Sequence, residues 1–336
     1  MRPRLALLAL WALLTPLVLA ACGGDGFDDD ALVIYSGRNK NLVGPLLDDM
    51  ERTTGLNVQV RYGDSAELAA QIQEEGDRTR ADLFFSQDAG ALGALTKAGR
   101  LQALPQPLLG RVPAEFRAKD GTWVGLSGRA RVFAYDPRQV PRPPKSVFEL
   151  TGPAWRGRVG WAPTNASFQA FVTGMRVTEG EARARQWLTA MKAAGTRSYD
   201  NNVLALEAVD RGEIALALIN HYYWYEEVAE KGQAAVHARI AFVTGGDPGG
   251  LINVAGIGVL KGTERRAAAE KAVDFLLSRT AQAHFATETK EYPLVAGVPA
   301  ERGLPPLDSL HGPDIDLSSL DSLERTLDLL KEVGLV

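Results

Sequence analysis

Short apolar runs alternate with amphipathic stretches along this chain. Residues 31–35 (ALVIY) predict a buried strand, and 41–53 predict a helix with Leu42, Leu46, Leu47 and Met50 on one stripe. Residues 57–61 (NVQVR) predict a second strand, and Ser65 opens a second helix as its cap. A third strand at 81–85 (ADLFF) and a third helix at 89–98 continue the series. This alternation predicts a parallel α/β sheet with helices on both faces. Its crossovers should be right-handed, and ligands should sit at the carboxyl ends of its strands.

A proline-bearing stretch over 104–122 precedes a second block. There, 123–126 and 131–135 predict two strands flanking Ser127-Gly128. A strand at 157–161, helices at 168–175, 179–192 and 203–210, and a strand at 214–219 follow. Strands at 240–243 and 251–260, a helix at 264–277 and an amphipathic helix at 317–333 complete the chain. Two α/β blocks joined mid-chain predict two lobes with a cleft between them. The run Gly245 to Gly250 lacks a following Gly-Lys-Ser/Thr, so it predicts a turn and not a phosphate loop.

The N-terminus predicts the compartment. Arg2 and Arg4 precede an apolar run over 5–20, broken only by Thr15 and Pro16. That is a basic n-region and an apolar h-region, short of the ~20 residues a membrane-spanning helix needs. The run ends in Leu19-Ala20-Ala21-Cys22, which resembles a bacterial lipobox. The expected organisation is therefore a signal peptide over 1–21, a lipidated Cys22, and a solvated tether over 22–30 (CGGDGFDDD). The expected location is outside the cytoplasm, on the cell membrane through a lipid anchor alone.

Composition narrows the function. A chain of 336 residues fits two lobes of ~150 residues each. With 46% hydrophobic and 23% charged residues it is no disordered or collagen-like chain. A formal net charge of −4 lacks the basic excess of a nucleic-acid-binding protein. One cysteine excludes an intramolecular disulfide and CxxC metal sites. The four histidines form no HExxH, Gly-x-Ser-x-Gly is absent, and no carboxylate pair can be called catalytic from its spacing.

The densest cluster of chemistry is Asn220-His221-Tyr222-Tyr223-Trp224-Tyr225, with three of the chain's eight tyrosines. It follows an apolar strand and opens a helix, where an α/β lobe presents ligand-binding groups. Aromatic packing between lobes fits the same residues. His221 is expected to stand behind the tyrosines or in solvent. Thr164 to Phe168 places small polar residues before a helix, which suits either an anion seat or a plain cap. Arg129 suits either the cleft or an exposed surface.

At these residues the chain resembles the bacterial ferric-iron-binding proteins of ABC uptake systems, a branch of the two-lobed type II periplasmic binding proteins. The resemblance runs from about residue 31 to the end. It is carried by VIYSGRNK (33–40), EEGDRTRADLFFSQD (74–88), LSGRARVFAYD (126–136), ALINHYYWY (217–225), DPGGL (247–251) and EYPL (291–294). It implies lobes of 31–127 plus 243–295 and of 128–242 plus 296–336, hinged near 126–129 and 242–251. It implies ferric iron held by Tyr222 and Tyr223, whose phenolates are hard anionic ligands for a hard cation. A companion anion such as carbonate, phosphate or citrate would then sit on Asn165, Ala166, Ser167 and Asn202, near Arg129.

The chain departs from the family on the first lobe. Asn39 stands at the histidine position, Lys40 at an alternative tyrosine position, and Gln87 at the glutamate position, with Asp88 beside it. A neutral amide is a poor ferric ligand. The first-lobe contribution would come from Asp88, from water, or from an anionic chelate held by Arg38, Lys40 or Arg129. The implied protein is a monomer that delivers iron to an ABC permease and its ATPase. Two other readings stay open: a binder of an organic anion such as a phosphorylated sugar or carboxylate, and an exported hydrolase using Asp88 or Glu226.

Overall fold

The computed structural model describes residues 26–336. The signal-peptide and lipobox expectations, including Cys22, lie outside the described residues. Eleven strands form one continuous sheet: β1 (Leu32–Ser36), β2 (Val58–Tyr62), β3 (Leu83–Ser86), β4 (Leu101–Gln102), β5 (Trp123–Tyr135), β6 (Val159–Trp161), β7 (Arg197–Ser198), β8 (Leu216–Asn220), β9 (Arg239–Phe242), β10 (Ile252–Leu260) and β11 (Tyr292–Pro293). Their order is β2-β1-β3-β10-β5-β8-β6-β7, with β4 on β10 and with β9 and β11 on β5.

The expected parallel pairing holds at both flanks. Strands β2, β1 and β3 run parallel, as do β7, β6 and β8. In the middle it fails, because β10 is antiparallel to β3 and β5, and β5 is antiparallel to β8. The cause is connectivity. The chain leaves the first half along β5 and returns along β10, so these neighbours run in opposite directions. The two strands expected around Ser127-Gly128 are one strand of 13 residues. Its residues up to Ala130 pair with β10 and its last five with β8, and within the β10-paired part a register shift opposite Ala255/Gly256 leaves Leu126 as an extra residue.

Each half has its own core. Ile34, Phe84, Phe85, Leu92, Trp123, Ile257 and Phe285 pack in the first. Phe133, Trp161, Phe168, Phe171, Trp187 and Leu218 pack in the second, where Trp187 meets Phe171 edge-on at 5.6 Å. Fully burying a side chain of this size stabilises the fold by roughly 1.5–3 kcal/mol.

Three segments differ from expectation. The closing helix is broken: Leu317–Asp321 is a 3-10 turn whose Leu317 and Leu320 join the first core, whereas Leu323–Val333 packs Leu329 and Leu330 into the second. Residues 296–336 therefore divide between the halves. A further helix, Arg279–Thr287, starts afresh at Ser278, whose side chain accepts the Ala281 N–H. The end of the expected tether is docked. Asp28 exchanges two 2.8 Å hydrogen bonds with Gln59, Arg80 reaches Phe27 and Asp29, and the Phe27 ring lies 5.3 Å from the Arg61 guanidinium.

The returning crossover from β9 to β10 holds the glycine-rich run. Asp247 ties it to the second half by accepting hydrogen bonds from Gly249 N–H, Val147 N–H and the Ser146 hydroxyl. Gly250 has to be glycine, since a Cβ there would lie 2.1 Å from the Val243 carbonyl oxygen.

Candidate functional site

The site lies where β5 passes from one half to the other. Strand β8 ends at Asn220, and the helix His221–Lys231 begins at once. The Asn220 side chain does not cap that helix; its Oδ1 accepts from Arg131 instead, at 3.4 Å. The first turn therefore keeps its positive end facing the two residues it carries, Tyr222 and Tyr223. Their rings are 4.2 Å apart and tilted by 33°. Tyr222 is buried and Tyr223 half-buried. Burial raises the Tyr222 phenol well above the ordinary tyrosine range, with help from Tyr223, while Arg129 pulls it back. Tyr222 is thus a neutral phenol at physiological pH.

Two arginines of β5 stand behind this pair. Arg129 and Arg131 are 3% and 2% exposed, and two-residue spacing along a strand puts both on one face. Arg131 donates to the Leu218 carbonyl at 2.9 Å and to Ser167 Oγ at 3.2 Å, and lies over the rings of Phe168 and Phe171. Burial lowers its pKa to about 9, and the two phenols act against that shift. The Nε of each arginine is buried without a hydrogen-bond partner. Orphaned donors of this kind are uncommon in a finished core and mark where an acceptor is wanted. The two guanidinium groups, with Gln87, Asp88, Ala166, Ser167, Asn220 and Asn253, line a cavity of ≈ 350 Å³ including its open mouth. The tyrosine pair borders this cavity through Asn220 and the arginines and does not line it.

The expected anion seat is assembled but internally occupied. Asn165 caps the helix Ala166–Glu179, and its Oδ1 accepts from Ser167 N, Ser167 Oγ and Asn202 Nδ2. Asn202 is fully buried and also donates to Ser167 Oγ at 2.9 Å, while its own Oδ1 has no partner. Ala166 and Ser167 line the cavity, and Asn202 supports them from behind.

The first-half candidates are brought to the cleft unequally. Gln87 and Asp88 line the cavity. Asp88 caps the helix Ala89–Lys97, accepting from Ala91 N–H at 3.1 Å. Burial raises its carboxyl above the usual range, against the pull of that N–H and of Arg129. Asn39 is exposed, caps the helix Lys40–Thr54 through Asn41 N–H, and stands apart from the cavity-lining set, as does exposed Lys40.

Glu291, present in the sequence only as the start of the EYPL motif and with no site role, joins the cluster. It is 1% exposed and accepts two hydrogen bonds from Arg38, at 3.0 and 3.1 Å, and one from Ser127 Oγ. Its oxygen lies 4.0 Å from Arg129 Nε. Burial pushes this carboxyl up, but Arg38, Arg129 and Ser127 outweigh it and hold it below the usual range. Arg38 is therefore paired inside the protein. Arg131 was also missed, although its two-residue offset from Arg129 was a usable signal.

His221 is fully buried, contrary to the exposed position its sequence allowed. Its Nδ1 accepts the Ala130 N–H at 3.1 Å, so the proton lies on Nε2, which donates to the Lys290 carbonyl at 2.9 Å. Burial lowers its pKa to about 4, so the ring is neutral.

Comparison with known proteins identifies the family. The family model for bacterial extracellular solute-binding proteins matches residues 79–317. The major ferric iron-binding protein of Neisseria meningitidis serogroup A is 37% identical over 311 residues, covering 90% of this chain and 93% of that protein. The crystal structure of iron-bound HitA from Pseudomonas aeruginosa superposes with a TM-score of 0.83 at 35% identity, over 90% of this chain and 99% of its own. The Trichodesmium protein IdiA (FutA), solved with iron and citrate ligands, superposes at 0.79 with 27% identity, over 91% and 100%.

Proposed function

The chain belongs to the bacterial extracellular solute-binding proteins, and from that premise we propose that it captures ferric iron between its two halves for an ABC importer. A member of this family binds and releases its solute and is not an enzyme, so the hydrolase reading is set aside. The organic-anion reading is not favoured beside relatives that are named for ferric iron.

One observation carries the proposal. An uncapped helix start presents two adjacent phenols, their rings 4.2 Å apart, beside two buried guanidinium groups whose Nε atoms lack partners. Phenolates suit ferric iron, and the guanidinium groups suit an anion that travels with it. Tyr222 and Tyr223 are the protein's ferric ligands in this account. The companion anion lies against Arg129, Arg131 and the 165–167 helix start, with Asn202 behind it. Carbonate and phosphate are candidates. The cleft arginines favour a polycarboxylate such as citrate, which also supplies the ligands that Asn39 and Gln87 cannot. Asp88 is the one first-half carboxyl at the cavity.

The halves act as hinged lobes that close on the complex, with crossings at β5 and at 242–251. A lipid on Cys22 holds the monomer at the membrane, where the permease and its ATPase take the iron. Native mass spectrometry of protein loaded from ferric citrate tests the anion. The expected mass is protein plus one iron plus one citrate, and iron bound with no anion would contradict the arginine assignment. Cys22→Ser should move the protein to the soluble exported fraction, and unchanged membrane retention would remove the anchor.

A further inference from the structure

Three stretches of chain meet at the boundary between the halves, and one side chain touches two of them while belonging to the third. His221 begins the helix that carries the tyrosines. Its Nδ1 holds Ala130 on β5, at the residue where β5 stops pairing with β10 and starts pairing with β8. Its Nε2–H holds the carbonyl of Lys290, which follows the first-half helix Arg279–Thr287. Lys290 has a φ of 55°, and among the described residues it is the one non-glycine in the left-handed region. Such a conformation is unfavourable for a residue with a side chain and persists where its surroundings enforce it. The next residue is Glu291, which fixes Arg38 and Ser127. Tyr292 then packs its ring 5.0 Å from the His221 ring and pairs with Gly128 of β5.

We infer that His221 is the pivot pin of the two lobes: its two hydrogen bonds lock the tyrosine helix to the crossing strand and to the 290–292 segment of the first lobe. The inference rests on the hinged-lobe reading above but not on iron. Both bonds lie beside the crossing strands, close to the axis about which the lobes would turn. They can survive rotation while preventing shear. His221 is not among the residues that line the cavity and acts through its neighbours, so it is a positioning residue. With the pin in place, Tyr222 and Tyr223 keep one register relative to Arg129 and Glu291. Without it, the tyrosine helix slides against that cluster.

The two bonds can be separated. In His221→Asn the amide oxygen can still accept from Ala130, but the side chain is too short for Lys290. In His221→Gln the amide can still donate to Lys290. In His221→Leu both are lost while most of the volume is kept. The test uses the iron-free protein with Cys22→Ser and spin labels on Ala70→Cys and Ala193→Cys, exposed positions of the two halves. The inference expects a narrow interlobe distance distribution for wild type and Gln, and a broadened one for Asn and Leu. It also expects Asn to release bound iron to a competing chelator roughly 5–10-fold faster than Gln, the effect of one lost buried hydrogen bond. Should Leu fail to fold, the Asn and Gln pair decides. Equal distributions for Asn, Gln and wild type overturn the pin, whether or not the protein binds iron. A colourless protein that still broadens in the Asn variant would sink the iron assignment and leave the pin standing.

Discussion

Both sides of the cleft present helix starts, and they differ in whether those starts are closed. On the first half, Asp88 at the cavity, like Asn39 away from it, accepts a backbone N–H of the helix it precedes. On the second, Asn165 does the same, but Asn220 turns to Arg131 and leaves the tyrosine helix uncapped. Orphaned guanidinium nitrogens stand beside that open helix. A closed helix start is already satisfied and gains little from a ligand. An open one beside guanidinium groups whose Nε donors lack acceptors gains from an anionic oxygen that reaches them. The cleft is thus asymmetric, and the proposed site places binding on the second half and cover on the first.

The largest expected effect tests that binding half. Arg131→Ala removes the donors to Leu218, Ser167 and Asn220 and the cation over Phe168 and Phe171. Buried acceptors left without partners should cost about 3 kcal/mol in chemical denaturation, together with weaker uptake of ferric citrate. Unchanged stability would show that the arginine is not integral to the second half. A smaller effect is expected on the covering half. Asp88→Ala removes a cap and should cost about 1 kcal/mol, with a loss of ferric affinity well below that of either tyrosine variant. If Asp88→Ala lost as much affinity as those variants, Asp88 would be a ligand and the asymmetry would fail.

The smallest effect concerns Glu226, half-buried on the tyrosine helix. Burial, with Glu291 adding to it, raises its pKa to about 7, against Arg38 and Lys290. A raised carboxyl is held protonated in the folded state at a pH where the unfolded chain has lost the proton. Its contribution is intact below the ordinary glutamate pKa and is lost as pH rises toward 7. Allowing for solvent screening, Glu226→Gln should be about 1 kcal/mol more stable than wild type near pH 8 and equal to it near pH 4. Equal stability at both values would show that the carboxyl is solvated.

The tyrosine pair was legible because it sits in a short motif between an apolar strand and a helix, and such patterns are local. The flanks of the sheet were legible for the same reason. The antiparallel centre was not, since periodicity carries no information about which strand a run will pair with. Glu291 could not be found because its partner Arg38 lies 253 positions away. The burial of His221 depends on the backbone of Lys290, 69 positions away. The uncapped state of the tyrosine helix was hidden too, because Asn220 is a good capping residue by type, and only Arg131 diverts it.

The central claim is that Tyr222 and Tyr223 bind ferric iron, and a visible-absorption titration with ferric citrate tests it most directly. Phenolate bound to ferric iron gives a charge-transfer band, so wild-type protein should colour on titration and bleach on acidification, as protons reclaim the phenols. Tyr222→Phe and Tyr223→Phe should each weaken the band and the affinity, and the double variant should lose both while remaining folded, because Phe keeps the aromatic bulk. A wild-type protein that stays colourless, or a double Phe variant that binds ferric iron as well as wild type, would contradict the account.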